Sequence, residues 1–237
     1  MPKMKRSGRN AKRPTNSRRR DREVTPYYEA DGITLYCADC REVGAWLTAD
    51  VLVCDPPYGM AFESSWTTRR PILGDHDESL RDDILLLWGE RPAAVFGTWR
   101  VARPQATKQL LTWFKSSVGP GMGDLNMPWG CATEEIYILG DGWHGRRRAN
   151  VIETSEQRGG SVGIAALLGH PTPKPVGLIT QLLECAPAGV VADPFAGTGS
   201  TLLAARQLGR RAIGVEVVEK YCETAAERLT QLLLDFG

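Results

Sequence analysis

An acidic and an aromatic side chain stand three residues apart in the stretch Asp55-Pro56-Pro57-Tyr58. The apolar run directly before it, residues 51–54, predicts a buried strand. The two prolines would end that strand and stiffen the turn that follows. The turn would then hold Asp55 and Tyr58 at the carboxyl edge of a sheet, where open α/β folds bind ligands. An ordinary strand-ending turn is the alternative interpretation.

A glycine-rich turn is the second candidate for chemistry. The apolar run 190–192 enters it and the helical run 202–208 leaves it, which gives the order strand, turn, helix. The turn consists of Asp193, Pro194, Phe195, Ala196, Gly197, Thr198, Gly199, Ser200 and Thr201. Its glycines have access to backbone angles closed to other residues, and its last two hydroxyl residues are candidates to cap the helix. The free N–H groups of the helix start favour a negatively charged ligand group.

An acidic residue at the right distance strengthens this interpretation. Glu216 ends the next apolar run, residues 212–215, about 20 residues after the glycine turn, which is where Rossmann-type folds place a residue that binds ribose hydroxyls. The alternative is a glycine turn that does no more than pack a helix on a sheet.

Together the two stretches resemble the amino-group DNA methyltransferases that use S-adenosylmethionine, in which DPPY is the catalytic motif and the DPF-G-G segment is the cofactor loop. The resemblance extends from about Ile33 to the end of the chain. Its motifs follow in the order of a strand ending near Asp39, DPPY, the W-x-K strand 111–115, a strand after Glu134 or Glu135, HPT-x-KP at 170–175, the glycine turn, and GVE at 214–216. This permuted order is that of the beta group of the family.

The resemblance implies an α/β fold. We expect a Rossmann-like class I methyltransferase fold with a mostly parallel seven-stranded sheet flanked by helices and a circularly permuted motif order. Residues 25–237 would form a single methyltransferase domain after a basic arm at residues 1–24. The segment 103–109 predicts a helix before the W-x-K strand.

The resemblance also implies a reaction and its site. A methyl group would pass from S-adenosylmethionine to the exocyclic amine of a base flipped out of double-stranded DNA. Asp55 and the Pro56 carbonyl would accept the hydrogens of the amine, Pro57 would complete the turn, and Tyr58 would stack on the base. The cofactor would contact the residues of the glycine turn together with Asp39, Lys174 and Glu216.

Several alternatives stay open at the level of the substrate. DPPY is commoner in adenine-N6 enzymes of this family, so adenine is favoured over a cytosine-N4 reaction. An RNA or protein amide methyltransferase and a catalytically inactive DNA-binding relative are further alternatives. A cofactor titration separates the inactive relative from the enzymes, because a decayed module would not bind S-adenosylmethionine.

Contacts with DNA are expected from loops, because the sequence offers no separate recognition domain between the DPPY and cofactor motifs. The candidate loops are residues 60–78, 116–131 and 141–168. Their basic residues Arg69, Arg70, Arg146, Arg147 and Arg148 are candidates for phosphate contacts. A surface loop and a charged hairpin tip are the alternatives. Loop-only recognition predicts a loose sequence preference.

Charge and cysteine content give further expectations about the basic arm, the cellular compartment and metal binding. The net charge is +1, yet residues 1–22 hold ten Lys or Arg and one acidic residue, so the arm could bind phosphates or be a solvated tail. Six scattered cysteines suggest reduced thiols and a cytoplasmic protein. The resemblance, the compact size and the basic arm would suit a bacterium or a phage-infected cell. The lone CxxC of Cys37 and Cys40 and the polar turn 75–78 do not predict a metal site. No membrane span is expected; a homodimer, a restriction-modification role and a mobile-element origin are open possibilities.

Overall fold

The computed structural model of the protein describes residues 24–58, 79–115, 126–154, 168 and 172–235. A mixed nine-stranded sheet lies at its centre, in the order β1-β2-β9-β8-β3-β4-β6-β5-β7. The strands are β1 (Tyr28–Ala30), β2 (Ile33–Cys37), β3 (Val51–Cys54), β4 (Ala93–Gly97), β5 (Gln109–Lys115), β6 (Thr133–Leu139), β7 (Val151–Thr154), β8 (Val191–Asp193) and β9 (Ala212–Glu216). The described residues also form a short 3-10 helix (Ala45–Thr48) and the helices α1 (Ser79–Trp88), α2 (Val176–Leu183), α3 (Ser200–Gln207) and α4 (Glu219–Asp235).

Five neighbouring strands run in the same direction. β2, β9, β8, β3 and β4 pair parallel with one another. Their carboxyl ends therefore meet at one edge of the sheet, which we call the carboxyl edge. The loops that leave these strands bring Asp39, Asp55, the glycine turn and the chain after Glu216 to this edge.

The predicted α/β architecture with a mostly parallel sheet is confirmed, and all seven expected strands are present. The sheet has two more strands, β1 and β7, which lie at its two ends. They are short, and each pairs with a single neighbour. Neither segment carries a continuous apolar run, because an edge strand buries little side-chain surface. The sequence therefore gave no strand signal for them.

One expected helix is replaced by irregular chain. Residues 101–108 form bends and turns before β5 begins at Gln109. The Thr107 hydroxyl donates to the Pro104 carbonyl within a local turn, and the ion pair of Arg103 with Glu135, at 2.6 Å, holds this segment against β6. The helical prediction for 103–109 is wrong because these contacts outweigh local propensity.

Two apolar layers cover the sheet. All four residues of β3 are buried, and successive residues contribute to different core clusters, with Val51 and Val53 in one and Leu52 and Cys54 in the other. This pattern is typical of a parallel strand with both faces covered. The first core includes side chains of α2, α3 and α4, and the second includes Trp46 stacked on Trp88 of α1 with ring centroids 6.1 Å apart. The packing fixes the positions of the strand ends that carry the site.

Candidate active site

The Asp55 carboxylate lies directly after β3 and has a partner on each oxygen. The Tyr58 hydroxyl donates to Oδ1 at 2.5 Å, and the Lys174 ammonium nitrogen lies 2.6 Å from Oδ2. The side chain of Asp55 is 25% exposed, whereas that of Lys174 is 7% exposed. Burial raises the pKa of the Tyr58 phenol well above its usual range and the neighbouring Asp55 carboxylate raises it further, so the phenol is protonated and donates.

A row of alternating charges continues from Asp55 into the protein, and we call it the ion chain. Its members are Asp55, Lys174, Glu134 and Lys115. The Lys174 Nζ lies 3.1 Å from Glu134 Oε2, and Lys115 pairs with Glu134 Oε1. Rings also surround the Lys174 Nζ, with centroids at 5.9, 5.1 and 6.0 Å for Tyr58, Phe96 and Trp113. Lys174 is thus held between two carboxylates in an aromatic cage.

The charge states of the ion chain follow from its pairing. Burial acts to lower the pKa of Lys174, but the Asp55 and Glu134 carboxylates outweigh it, and the pKa is raised. Burial acts to raise the pKa of Glu134, but Lys174 and Lys115 outweigh it, and the pKa is lowered. Lys174 is therefore an ammonium and Glu134 a carboxylate at neutral pH.

The glycine turn leaves β8 with the conformation that its sequence predicts. Gly197 and Gly199 have φ angles of +50° and +82°. A Cβ on Gly199 would lie 2.9 Å from the Cβ of Ala225 in α4. Glycine is required there for its left-handed backbone and for the close approach of a helix.

The predicted capping of α3 by Ser200 and Thr201 is wrong. Gly199 is the residue at the N-cap position, and no side chain caps the helix there. The Thr201 hydroxyl bonds Asp193 instead, and Asp193 Oδ1 also accepts from the Phe195 N–H at 3.0 Å. Burial raises the pKa of Asp193 to about 7, with these two hydrogen bonds acting in the opposite direction.

Glu216 connects the glycine turn to the end of β9. Its Oε2 accepts from the Gly197 N–H and its Oε1 from the Val218 N–H, both at 2.8 Å. Burial raises its pKa. Each carboxylate oxygen has two lone pairs, so the side chain retains acceptor capacity for a ligand hydroxyl.

Asp39 lies on the chain that leaves β2 at the carboxyl edge. Its carboxylate is partly buried and accepts from the Arg41 backbone and from the more exposed Arg41 side chain, with an ion-pair distance of 2.5 Å. The neighbouring Ala38 N–H donates to the Glu216 carbonyl at 2.9 Å, which joins the two strand ends. The structure thus places Asp39, Glu216 and the glycine turn next to three adjacent strand ends.

Arg228 is a residue at the turn that the sequence interpretation missed. Its guanidinium reaches from α4 and donates to the Thr198 carbonyl at 2.5 Å and the Thr198 hydroxyl at 3.2 Å. Burial lowers the pKa of Arg228 to about 10. The pattern of α4 indicated an amphipathic helix and gave no signal that one of its basic residues would hold the turn.

The arginines of the β6–β7 loop lie far from Asp55 in the topology. Because β6 is antiparallel to β4, its last residue Leu139 pairs with Ala93, the first residue of β4. Residues 146–148 follow at that opposite edge, and Arg148 pairs with Glu184 at 3.2 Å. Arg69 and Arg70, with most of the other two predicted loops, lie outside the described residues.

A different set of side chains occupies the carboxyl edge beside Asp55. Trp99 and Arg100 follow β4, and Trp129 precedes β6; the two tryptophans are 68% and 79% exposed. The Arg100 guanidinium lies 5.4 Å from the centroid of the Trp99 ring and contacts the Cys131 sulfur. Trp129 belongs to the candidate loop 116–131, whereas Trp99 and Arg100 lie outside the predicted loops, because a lone aromatic in irregular chain carries no periodic signal.

The part of the chain that the structure describes lacks two features. It contains no cluster of three or more His, Cys, Asp or Glu side chains suited to a metal ion. None of its helices combines the length and the apolar character that a membrane crossing needs.

Known proteins share both the local sequence and the fold. A family model described as DNA methylase matches residues 136–227. A stretch of 62 residues is 50% identical to the Escherichia coli (strain K12) protein named "Putative methylase YubD". A stretch of 62 residues is 42% identical to the type II methyltransferase M.ScaI of Streptomyces caespitosus. The resemblance to amino-group DNA methyltransferases is confirmed. Each stretch covers 25% of this chain, and they cover 27% and 20% of the two relatives.

Solved structures of methyltransferases superpose on most of the chain. The M1.HpyAVI–SAM complex has a TM-score of 0.58 at 20% identity and covers 83% of this chain and 98% of its own. The cytosine-N4-specific PvuII DNA methyltransferase has a TM-score of 0.60 at 15% identity and covers 87% and 89%. Identities this low show the fold alone, and the predicted class I methyltransferase fold is confirmed.

Proposed function

We propose that the protein transfers a methyl group from S-adenosylmethionine to the exocyclic amine of a base in double-stranded DNA. The observation that carries this proposal is the juxtaposition of Asp55 with the glycine turn. Their strands, β3 and β8, are adjacent and parallel, so both segments leave the same edge of the sheet side by side. An acceptor for the amine and a cradle for the cofactor are therefore neighbours.

The described residues fit S-adenosylmethionine. Gly197 is half-buried in a left-handed turn at the carboxyl edge, Glu216 keeps acceptor capacity for ribose hydroxyls, and Asp39 lies at the adjoining strand end. When bound, the cofactor supplies a methyl carbon whose bond to sulfur breaks as the amine nitrogen bonds to it. The nitrogen then releases a proton to solvent.

In this proposal the DPPY turn makes the nitrogen of the amine a better nucleophile. Its lone pair is delocalised into the ring of the base, which makes the nitrogen a poor nucleophile. The Asp55 carboxylate and the Pro56 carbonyl would accept its two hydrogens and stabilise the positive charge that develops on nitrogen. The base must leave the duplex to reach them, and Tyr58 would stack on it.

We propose that DNA lies along the carboxyl edge against Trp99, Arg100 and Trp129. Exposed aromatic rings and an arginine suit the bases and phosphates of a locally opened strand. Residues 146–148 lie at the opposite edge, so their predicted phosphate contacts would need DNA that extends past the catalytic face. Contacts by Arg69, Arg70 and the basic arm remain predictions.

Adenine N6 is the favoured target because the motif reads DPPY, and cytosine N4 is the second candidate. The test is incubation of the purified protein with isotope-labelled S-adenosylmethionine and mixed-sequence duplex DNA, followed by mass spectrometry of the nucleosides. We expect N6-methyladenine. N4-methylcytosine would change the base and keep the mechanism. Parallel incubations with RNA and with a protein extract complete the test, and label in either of these without label in duplex DNA would overturn the proposal.

Asp55→Ala is the matched variant for this test. We expect it to abolish transfer while calorimetry still detects binding of S-adenosylmethionine, because the carboxylate is assigned to the base and not to the cofactor. Wild-type-like turnover of this variant would contradict the assignment. Sequencing the DNA of a methylation-free host that expresses the protein would give the target motif.

A further inference from the structure

We infer that Lys174, held in place by Glu134 and Lys115, is a positioning residue for Asp55 in the methyl transfer. The inference rests on the proposed function, in which Asp55 accepts a hydrogen of the substrate amine. Lys174 binds Oδ2 at 2.6 Å and thereby orients the carboxylate with Oδ1 toward Tyr58. Oδ1 is then the oxygen presented to the base.

The four members of the ion chain come from four separate parts of the fold. Lys115 ends β5, Glu134 lies near the start of β6, Lys174 precedes α2, and Asp55 follows β3. Two cations and two anions alternate, so the buried group is electrically neutral. The side chains of Lys115 and Glu134 are 17% and 16% exposed. Such a group holds its geometry tightly, because displacing one charge leaves its partner unpaired in a poorly solvated place.

The distances favour a role at Asp55 over a role in packing alone. Lys174 approaches Asp55 Oδ2 more closely than Glu134 Oε2, at 2.6 Å against 3.1 Å. Glu134 is already paired with Lys115, so it does not need Lys174 for charge neutrality. Asp55 has Lys174 as its ion-pair partner among the described residues. Lys174 thus serves the carboxylate that the proposed reaction uses.

Removing the charge of Lys174 changes the protonation state that the Asp55 and Glu134 carboxylates favour. With Lys174 replaced by methionine, Asp55 and Glu134 are two neighbouring carboxylates with one remaining cation. Like charges disfavour double ionisation, so a proton on the pair is favoured more in the variant than in wild type. A protonated Asp55 has lost acceptor capacity and anionic charge, and transfer slows until the pH rises enough to remove the proton.

The experiment compares single-turnover methyl transfer by wild type, Lys174→Met, Lys174→Arg and the double variant Lys174→Met/Glu134→Gln. Lys108→Met is the control, because Lys108 also pairs with a carboxylate, Asp141, but both groups are exposed. We expect Lys174→Met to lower the rate about 100-fold at neutral pH. We expect cofactor affinity to change less than about threefold, because the buried Lys174 ammonium is paired with Asp55 and Glu134 and is not free for the cofactor contact that the sequence predicted. Its rate recovers as the pH rises, and Lys174→Arg keeps most of the activity.

The double variant separates positioning from packing. Glu134→Gln removes the competing charge, so we expect it to restore the rate of Lys174→Met about tenfold near neutral pH. A rate in Lys174→Met that is lowered equally at every pH and is not restored by Glu134→Gln would overturn the inference, as would wild-type transfer by Lys174→Met. Thermal unfolding of each variant identifies any that fail to fold.

A second readout does not depend on catalysis. Carbon-13 NMR of side-chain carboxyl groups follows protonation directly, and Lys174→Met is expected to show a carboxyl that titrates at higher pH than in wild type. This shift of the carboxyl titration to higher pH is expected to be absent in the double variant. An unchanged carboxyl titration would overturn the inference even if transfer is slow. If wild type transfers no methyl group to DNA, the proposed function fails, while NMR still decides whether Lys174 sets the charge state of the pair.

Discussion

The Tyr58 hydroxyl is hydrogen-bonded to the oxygen of Asp55 that the substrate would use. This hydroxyl donates to Oδ1, the carboxylate oxygen that is not bound by Lys174. A base that enters the site would therefore take over this hydrogen bond, and the Tyr58 ring would be released to stack on it. In this arrangement the ring contributes to base binding, while the hydroxyl serves to satisfy Asp55 before the base arrives.

The two parts of Tyr58 are separable by substitution. We expect Tyr58→Phe to keep kcat/KM for DNA within about threefold, because the stacking ring is retained. Tyr58→Ala loses a contact of about 1–3 kcal/mol, which corresponds to a fall of about 5- to 150-fold. Steady-state kinetics on one duplex would measure both, with cofactor affinity as the control. An equal fall of kcat/KM in the two variants would mean that the hydroxyl acts in the reaction.

Asp193 makes the stability of the fold depend on pH. Its pKa is raised to about 7 in the folded protein, mainly by burial, so the folded state binds its proton more tightly than the unfolded state. Its contribution to the free energy of unfolding is greatest at pH values below the ordinary pKa of an aspartate. The contribution falls as the pH rises from there toward 7, and it does not change further above pH 7. Between about pH 5 and pH 8 the expected loss is roughly 2–3 kcal/mol.

Urea unfolding at several pH values measures this loss. Asp193→Asn cannot ionise and should remove this part of the pH dependence, while it keeps an oxygen to accept from the Phe195 N–H. An identical pH dependence in wild type and Asp193→Asn would show that the carboxyl does not titrate in this range.

At the scale of elements, the glycine turn depends on α4. Gly199 is pressed against Ala225, and Arg228 of the same helix holds the Thr198 carbonyl. Gly199→Ala adds a clash to an unfavourable left-handed backbone, and we expect a loss of about 2–4 kcal/mol in stability with weaker binding of S-adenosylmethionine.

Gly209 provides a matched control for that substitution. Its φ of +66° is also left-handed, but a Cβ there would meet nothing within 4 Å. Gly209→Ala should therefore cost about 1–2 kcal/mol from the backbone alone and leave cofactor binding unchanged. Ala225→Gly in the Gly199→Ala background should relieve the clash and restore part of the stability. If both alanine variants behave alike by chemical unfolding and calorimetry, the contact with α4 is unimportant.

The same elements show where sequence was sufficient and where it was not. The strands before Asp55 and the glycine turn were predictable, because a buried central strand needs a continuous apolar run and a tight turn needs glycine. The ion chain was not predictable, because the motifs that contain Lys115, Glu134 and Lys174 do not indicate which side chains are in contact in the folded protein. The position of residues 146–148 depends on β6 running antiparallel, and the sequence pattern of a strand does not reveal its direction.

At the scale of the whole molecule, the direction of β6 divides basic and aromatic residues between two edges. The carboxyl edge has Trp99, Arg100 and Trp129 beside Asp55, and the opposite edge has residues 146–148. DNA whose base reaches Asp55 must lie over the carboxyl edge. The proposed function therefore requires that the two groups of residues differ in their contribution to DNA binding.

Fluorescence anisotropy with a labelled duplex at several salt concentrations tests that difference. We expect Trp99→Ala and Trp129→Ala to weaken binding by up to about 1–3 kcal/mol each with little change in salt dependence, because stacking is lost and no charge is removed. Arg100→Ala should reduce the slope of log affinity against log salt by about 1, the signature of one lost phosphate contact. Alanine at all three positions 146–148 should change neither quantity. A larger loss from that triple variant than from the carboxyl-edge variants would place the DNA across the opposite edge and contradict the orientation proposed here.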